Sequence, residues 1–544
     1  MTSLHAPHSA RQSPQATNVR RKGLVLLLAS LLGHASLSAV DLAITDHGAL
    51  ADGVTVNTAA IQQTIDEVSR QGGGRVIIPM GKFVTGTIYL KSQVTLYLAA
   101  AAELLGSRSL SDYPRDNPGS GEVAANLATP SGALSASEFI QALIVADKAK
   151  HVAIEGPGVI DGRGQPDAFP VRHAERKNQL GERPMLMRFY QCADVRFSEV
   201  TFKNPASWGV HLVDCDNVHF QGVTIRHRSN ENNDGIDIDG CRNVFISDCD
   251  ISSGDDAICP KSSHARPCEN IFVKNCVIES DTAAFKLGTS SRAGFRNIVV
   301  SDCIMRNTRM GAIKLLCVDG GVLENVLINN IVMDQVEGPI FIRLGNRGAA
   351  FLTPEIDGSA VKVGVLRNIT ISNIQATVRT EDRARSGIMI SGIPGHKISG
   401  IKLDNIVIRY PGMGPAVGTP KAVPEDPGKY PEQFFFGCLP SYGMYLRHAE
   451  DISLSRIKFS FSGEEKRPAM VLEDVAGFSL SDSTIQAAGD AVVAADHSTN
   501  LSIANSTFQG SPRTLVELNP NGATPVHLTG NQLPENTQET ILRH

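Results

Sequence analysis

The chain has 544 residues, of which 42% are hydrophobic, 20% are charged and 5% are aromatic, and its formal net charge is -5. This composition supplies a large apolar core, and the lack of a basic excess argues against a nucleic-acid or anionic membrane surface as partner. The length suggests several domains unless a repeat fold grows along one axis.

The N-terminus has the order of a cleavable export signal. Basic residues at 20–22 precede a mostly apolar run at 23–32, and mainly small residues follow it. The run is too short to span a bilayer, which leaves an uncleaved anchor as the less favoured alternative. We therefore predict a signal peptide over residues 1–39 and a single secreted or periplasmic domain over residues 40–544.

A helix is predicted early in this domain, from Thr58 to Arg70, with Asn57 before it and Gly72, Gly73 and Gly74 ending it. Its apolar positions share one face: Ala60, Ile61, Ile65 and Val68. The open end of a solenoid is an exposed sheet edge, and we expect this helix to cover it.

A short phrase with an asparagine at its second position recurs along the middle of the chain. The asparagines are Asn217, Asn243, Asn270, Asn297, Asn325 and Asn368. An alternating strand, a short polar loop and a second strand follow each asparagine, which is typical of a solenoid with one coil per repeat. The β-branched content favours strands, so we predict an all-β fold, a right-handed parallel β-helix, with a ladder of stacked asparagines.

The ten cysteines follow the same register. Cys215, Cys241 and Cys268 each lie two residues before a ladder asparagine, and other cysteines lie six residues after one. A disulfide framework is the alternative in an exported protein. Columns that repeat with the coil favour small thiols stacked in the core, and no paired CxxC motifs indicate a metal site.

Two aperiodic segments leave the coil. Residues 107–137 are rich in Gly, Ser, Pro and Ala, and residues 411–440 are rich in Pro and Gly. We expect both to form walls of a binding groove. Weaker strand phrases resume from Asp451 onward, so the coil is predicted to continue there.

Three aspartates, Asp234, Asp255 and Asp256, stand in two short runs, 232–237 and 253–257, the first of which also contains Asp237. In the stacked coils, Asp234 directly precedes one strand and Asp256 precedes the equivalent strand of the next coil. Adjacent strands lie about 4.8 Å apart, so these two acids and Asp255 are predicted to be close neighbours. Like charges at this range raise one another's pKa.

The strands that follow these acids predict an outward-facing column: Asp237, Cys259, Lys286 and Lys314. Lys261 and Arg343 are expected on the same face. His211 and Trp208, one coil earlier, are candidates for lining the groove, with half-buried packing as the alternative. Lysines at this rim would pair with an anionic sugar such as a uronate, although Lys286 is also compatible with a solvated outer strand face.

Three interpretations of the acidic cluster compete. Calcium could be bound by oxygen ligands from these aspartates, but the adjacent lysines argue against a cation site. A solvated turn explains a single Asp-Gly phrase and not three acids that meet across coils. Acid and base groups for glycoside hydrolysis explain the cluster best. We therefore expect a hydrolase of acidic polysaccharide that uses no cofactor.

At these residues the chain resembles glycoside hydrolase family 28, the polygalacturonases and their relatives. Asn232 to Asp237 match the family's Asn-x-Asp-Gly-x-Asp motif, and Gly254 to Asp256 match its Gly-Asp-Asp motif. The resemblance runs from about residue 45 to 475. It implies a metal-free enzyme that inverts configuration, with Asp255 as general acid and with Asp234 and Asp256 holding and activating water.

Two family motifs differ in this chain. Thr282-Ala283-Ala284 stands where polygalacturonases have Gly-His-Gly, and Ala312-Ile313-Lys314 stands where they have Arg-Ile-Lys. The resemblance therefore implies an altered pectic substrate, such as rhamnogalacturonan, xylogalacturonan or a side-chain linkage. The predicted substrate-binding residues are Asn232, Asp237, Lys286, Lys314 and His211.

Two other functions remain open on the sequence. A calcium-dependent polysaccharide lyase would eliminate across the glycosidic bond with a basic Arg or Lys. A non-catalytic glycan-binding β-helix would keep the coil without needing the three acids. For the predicted hydrolase we expect a monomer whose partner is an acidic pectic polysaccharide, with no nucleic-acid partner and no membrane contact after signal cleavage.

Overall fold

The computed structural model describes residues 39–114, 141–171, 182–348, 361–380, 387–412, 422–519 and 526–542. Residues 1–38 of the predicted signal peptide lie outside the described residues. The two predicted groove segments, 107–137 and 411–440, lie partly outside them.

Strands dominate the described residues, and their bounds are as follows: β1 Val40–Ala43, β2 Asp52–Val56, β3 Gly74–Ile78, β4 Gly81–Thr85, β5 Ile88–Leu90, β6 Val94–Leu98, β7 Ala102–Gly106, β8 Ala142–Asp147, β9 Lys150–Glu155, β10 Val159–Asp161, β11 Met185–Tyr190, β12 Ala193–Ser198, β13 Thr201–Lys203, β14 Val210–Val213, β15 Asp216–Gln221, β16 Thr224–His227, β17 Ile236–Asp239, β18 Arg242–Ser247, β19 Asp250–Ser253, β20 Ile258–Lys261, β21 Cys268–Lys274, β22 Val277–Ser280, β23 Ala283–Leu287, β24 Gly294–Arg306, β25 Gly311–Cys317, β26 Val322–Val336, β27 Ile340–Leu344, β28 Val365–Val378, β29 Ile388–Ser391, β30 Ile398–Tyr410, β31 Met444–Phe461, β32 Met470–Ser481, β33 Thr484–Gln486, β34 Ala491–Asp496, β35 Thr499–Ala504, β36 Thr507–Gln509, β37 Thr514–Leu518, β38 Val526–Thr529 and β39 Gln538–Leu542. The described helices are α1, Thr58–Arg70, and three 3-10 turns, Ile44–His47, Leu110–Asp112 and Gln433–Phe436.

The strands wind into a right-handed parallel β-helix, as the repeat predicts. In the central coils, β14, β15 and β16 pair in parallel with β17, β18 and β19, so each coil adds one strand to each of three sheets. The prediction of two strands per coil is wrong in this detail. A tight turn at Gly222, between β15 and β16, separates these two strands, and the φ of Gly222, 64°, lies in the left-handed region.

The predicted asparagine ladder is confirmed. The side chain of Asn243 donates to Asn217 at 3.0 Å, Asn270 donates to Asn243 at 2.9 Å, and Asn297 donates to Asn270 at 3.0 Å. These residues have φ values between 56° and 58°. Asn tolerates this left-handed conformation better than other non-glycine residues, so one residue type both turns the chain and links neighbouring coils.

One of the three sheets, the one that contains β17, β20, β23 and β25, differs from the other two in its burial. β18 alternates buried and accessible residues, as expected for a sheet with one wet face. In contrast, every residue of β17, β20, β23 and β25 is buried. The outward side chains of this sheet, including charged ones, are therefore covered by other parts of the chain.

The predicted N-terminal helix is present with the predicted bounds. α1 buries Ile61, Thr64, Ile65 and Val68 and packs against β1, β3 and β5. The Asn57 side chain makes no hydrogen bond to the helix and instead binds the backbone of Leu50. None of the described helices is long and apolar enough to cross a membrane.

The cysteines are free thiols, as their register predicts. Nine of them are buried and Cys438 is half-buried. Cys215 and Cys241 stack on successive coils, with the backbone N of Cys215 at 3.3 Å from the Cys241 sulfur. They therefore act as small core residues.

We expect Asn270→Ala to lower the free energy of unfolding by about 2 kcal/mol, because it removes two ladder hydrogen bonds and leaves a Cβ-bearing residue without side-chain support in a left-handed turn. Asn270→Gly is the matched control and should lose about 1 kcal/mol, since it lacks only the hydrogen bonds. Urea denaturation followed by circular dichroism measures both. Equal stability of Asn270→Ala and the unmodified protein would contradict the ladder's role.

Candidate active site

The coil register brings the three aspartates together. The backbone N–H of Gly235 donates to the Asp256 carbonyl at 2.9 Å, so Asp234 and Asp256 occupy equivalent positions on neighbouring coils. One carboxylate oxygen from each of Asp234, Asp255 and Asp256 lies within 4.8 Å of the others. The predicted adjacency is therefore present.

The loop before β17 is held by its own polar residues. The amide of Asn233 is fully buried and donates to the carbonyls of Pro205 and Ser207. Asn232, predicted to bind substrate, accepts a hydrogen bond from buried Arg183 at 2.8 Å. The Nδ1 atom of His227 lies 2.9 Å from the Asp234 carbonyl oxygen. These contacts fix the backbone that carries Asp234.

Thr282 connects the other two acids. Its hydroxyl lies 2.8 Å from Asp256 Oδ1 and 3.1 Å from Asp255 Oδ1, and the backbone N–H of Asp256 donates to Asp255 Oδ1 at 2.9 Å. The Ser280 hydroxyl donates to the Asp255 carbonyl at 2.7 Å. Thr282 is the first residue of the triplet that differs from the polygalacturonase motif, and it contacts both carboxylates directly.

Two lysines contact the carboxylates from the same sheet. The Lys261 ammonium lies 3.0 Å from Asp237 and 4.0 Å from Asp234, and 4.8 Å from the centre of the Trp208 ring. The Lys286 ammonium lies 2.7 Å from Asp256. Lys286 is only 3% exposed, which excludes the solvated-lysine alternative.

The segment at 422–440 adds groups that the sequence pattern does not predict. Glu432 lies 3.7 Å from the Lys286 ammonium and makes a closer ion pair with Lys314, which is fully buried. The Tyr430 hydroxyl lies 3.2 Å from the Lys286 ammonium. The Pro- and Gly-rich composition indicates a groove wall here, but no repeat phrase identifies Glu432 as a partner of the lysines.

The same segment packs on the outer face of the sheet. Phe436 lies against Phe341, with ring centres 6.1 Å apart, and the guanidinium of Arg343 lies 5.1 Å from the Phe436 ring centre. The surrounding buried residues form one apolar cluster: Leu316, Phe341, Met389, Val423, Phe436, Leu439, Tyr445 and Val471. This packing covers the sheet beyond Lys314 and forms one side of the site.

The charges around each aspartate separate their pKa values. Burial raises the pKa of Asp255, and the negative charge of Asp256 raises it further. Burial acts in the same direction on Asp234, where Asp237 and Asp255 add to it. For Asp256, burial is outweighed by the charges of nearby lysines, chiefly Lys286, and its pKa lies below its usual range. The cluster therefore favours an ionised Asp256 beside a protonated carboxyl.

Asp237 and His211 lie side by side on paired strands. Burial raises the pKa of Asp237 to about 6 although Lys261 opposes the shift. His211 is 3% exposed and packs against the edge of Trp208 with ring centres 5.1 Å apart. Burial, together with the charges of Arg188 and Lys261, lowers the pKa of His211 well below its usual value, so its ring is neutral near pH 7.

Metal binding is the other chemistry that this geometry allows. Asp234, Asp255 and Asp256 could each offer one oxygen to a cation, and so could Asp234 and Asp237 together with the Cys259 sulfur. The ammonium groups of Lys261 and Lys286 already contact carboxylates of both sets. A hard cation prefers oxygen ligands without competing positive charge, so the site fits acid and base chemistry better.

The long parallel solenoid and the carboxylate cluster on one of its sheets define a β-helical protein with a cluster of closely spaced acids. A family model described as glycosyl hydrolases family 28 matches residues 95–425. This is more than half of the chain, and the chain belongs to this family.

Two curated relatives carry similar sequences. A probable polygalacturonase of Vitis vinifera is 35% identical over 252 residues, which cover 44% of this chain and 48% of the relative. An exo-poly-alpha-D-galacturonosidase of Dickeya chrysanthemi is 28% identical over 256 residues, covering 40% of this chain and 41% of the relative. The chain thus spans less than half the length of either relative.

Two solved structures share the fold. The exopolygalacturonase of Thermotoga maritima has a TM-score of 0.56 and 24% identity, covering 69% of this chain and 88% of that structure. The family 28 exopolygalacturonase of Yersinia enterocolitica has a TM-score of 0.57 and 20% identity, covering 79% of this chain and 78% of that structure. At this level of identity the comparison supports the β-helical fold alone.

We expect Lys286→Met to lower the free energy of unfolding at pH 7 by about 3–5 kcal/mol, because it leaves Asp256 buried without its closest counter-charge. The depressed pKa of Asp256 contributes stability above its unfolded pKa of about 3.8, and this contribution is lost as the pH falls. Without Lys286 that pKa rises, so protonation should remove much of the penalty at pH 4. Urea denaturation at both pH values measures the difference.

Lys274→Met is the matched control, because Lys274 is an exposed lysine on β21. It should change stability by less than about 0.5 kcal/mol at either pH. A Lys286→Met penalty that is equal at pH 7 and pH 4 would contradict the assigned pairing.

Proposed function

We propose that the protein is an exported glycoside hydrolase that cleaves pectic polysaccharide by an inverting acid and base mechanism. The observation that carries this proposal is the pairing of Asp255, whose pKa is raised, with Asp256, whose pKa is lowered, in one contact cluster. A reaction in which one carboxyl gives a proton and another accepts one requires the two groups to have different pKa values.

Asp255 acts as the general acid. It is half-buried, whereas Asp234 and Asp256 are buried, so Asp255 is the most accessible residue of the three. Its raised pKa keeps the proton at a pH where an ordinary aspartate has lost it. In the reaction this proton passes to the glycosidic oxygen as the bond to the anomeric carbon breaks.

Asp256 and Asp234 hold the attacking water. The nearby lysines keep Asp256 ionised, whereas the pKa of Asp234 is raised, so Asp256 is the carboxylate available to accept the proton that the water loses. Asp234 positions the same water from the neighbouring coil. The oxygen of the water joins the anomeric carbon, and both products end with a hydroxyl group.

Inversion is proposed on the family assignment. The carboxylate oxygens lie within 4.8 Å of one another. This separation is closer to that of retaining glycosidases, about 5–5.5 Å, than to that of inverting ones. The stereochemistry of the product therefore tests the proposed inversion directly.

The substrate class is proposed from the family and from the altered motifs. The names of the relatives refer to polygalacturonate, but Ala283 and Ala312 replace the histidine and arginine of the polygalacturonase motifs. We therefore propose a pectic polysaccharide other than plain polygalacturonate, such as rhamnogalacturonan, xylogalacturonan or a side-chain linkage. The protein would act as a monomer outside the cytoplasm and without a metal.

We expect Asp255→Asn to lower kcat on the preferred pectic substrate by about 10²–10⁴-fold, because the amide cannot donate the required proton. Asp302→Asn is the matched control: Asp302 is an exposed residue that accepts a hydrogen bond from Asn330, and an asparagine can accept the same bond. Reducing-end release is the assay, and NMR follows the product anomer.

Three outcomes would contradict the proposal. Turnover by Asp255→Asn at the normal rate would exclude the assigned acid. An unsaturated, ultraviolet-absorbing product that requires calcium would indicate a lyase. Binding of pectic fragments without any turnover would indicate a glycan-binding module.

A further inference from the structure

The lysines beside the acids carry no excess positive charge. Lys261 pairs with Asp237 and Asp234, Lys286 pairs with Asp256, and Lys314 pairs with Glu432, which also lies 3.7 Å from Lys286. An ionised uronate is recognised by charge-assisted hydrogen bonds from a cation whose N–H donors are not already paired with a carboxylate. These ammonium groups are already engaged by carboxylates of the chain.

Burial and the packing of the following residues fix the position of Glu432 beside Lys286 and Lys314. It is 6% exposed and directly precedes the 3-10 turn Gln433–Phe436. The side chain of Gln433 donates to the Gly387 carbonyl at 2.8 Å, and Phe436 packs into the apolar cluster against Phe341. Withdrawing the Glu432 carboxylate would require this packing to open.

The charge balance disfavours a second carboxylate here. Five carboxyl groups and three ammonium groups form the cluster: Asp234, Asp237, Asp255, Asp256, Glu432, Lys261, Lys286 and Lys314. Even with two carboxyls protonated, the positive and negative charges only cancel. A sugar carboxylate placed over Lys286 would face the carboxylate of Glu432 at short range, and like charges in a partly buried site repel strongly.

Tyr430 offers a different kind of contact at the same place. Its hydroxyl binds Lys286, while the side chain remains 45% exposed. An aromatic side chain with its polar end anchored presents an apolar body to a ligand. The surface over Lys286 therefore combines a neutralised charge with an exposed ring.

We propose that Glu432 is a specificity-determining residue: its carboxylate occupies the Lys286 and Lys314 ammonium pair, so the sugar unit bound over this pair carries no ionised carboxylate. The unit is a neutral sugar or a uronate whose carboxyl is esterified. This inference rests on the proposed function, because it names the substrate class of the same groove.

Calorimetric binding tests the inference without turnover. The probes are galacturonate oligosaccharides, the same oligosaccharides with methyl-esterified carboxyls, and rhamnogalacturonan oligosaccharides, in which neutral sugars alternate with uronates. The unmodified protein should bind the esterified probe at least about tenfold more tightly than the free acid, since the free acid adds a like charge beside Glu432. Tighter binding of rhamnogalacturonan than of the esterified probe would identify the neutral sugar.

Glu432→Gln should reverse this preference by about tenfold or more in favour of the free acid, because the lysine pair then lacks its internal counter-charge. Glu450→Gln, an exposed glutamate on β31, is the matched control and should leave the preference unchanged. The same ratio in Glu432→Gln and in the unmodified protein would overturn the inference. If Glu432→Gln fails to fold, equal or tighter binding of the free acid by the unmodified protein overturns it instead.

Turnover of the same probes separates this inference from the proposed function. Hydrolysis of all three probes by the unmodified protein, with a preference for the free acid, would support the proposed hydrolase function and contradict the role of Glu432. Binding with the expected preference but without any turnover would support Glu432 and contradict the hydrolase.

Discussion

The in-register stacking of β17 on β20 is the constraint on which the rest of the site depends. Parallel pairing aligns Ile236 with Ile258 and Asp237 with Cys259, and this register sets Asp234 beside Asp256. A shift by one residue would turn the outward column inward. The asparagine ladder and the stacked thiols repeat with the same period, so they help to hold the register that assembles the acids.

Covering the outer face of this sheet has an electrostatic consequence. Carboxylates and ammonium groups that would be solvated on an ordinary strand are buried, where an unpaired charge is costly. Each lysine must therefore meet a carboxylate. The lysines lie closer to Asp256 than to Asp255, so the pKa of Asp256 is lowered while that of Asp255 is raised. The proposed mechanism assigns the base and the acid from this difference. The burial that forces these charges to pair therefore also sets the pKa values on which the proposed mechanism depends.

The periodic part of the molecule can be predicted from the sequence, and the aperiodic part cannot. Asn217 and its successors reveal the coil because a left-handed turn and a ladder both require this residue type, and the coil then sets Asp234 beside Asp256. Glu432 reaches Lys314 across 118 residues from a segment without any repeat. Thr282 appears in the sequence only as a departure from a motif, and its contact with two carboxylates becomes visible in three dimensions.

The proposed mechanism requires the stacked acids to face the glycosidic bond that is broken. A crystal structure of Asp255→Asn with a bound pectic oligosaccharide tests it most directly. We expect a glycosidic oxygen within hydrogen-bond reach of residue 255 and an ordered water held between Asp234 and Asp256, opposite the leaving group. An oligosaccharide bound on another face of the coil, or with its sugar rings turned away from these carboxylates, would contradict it.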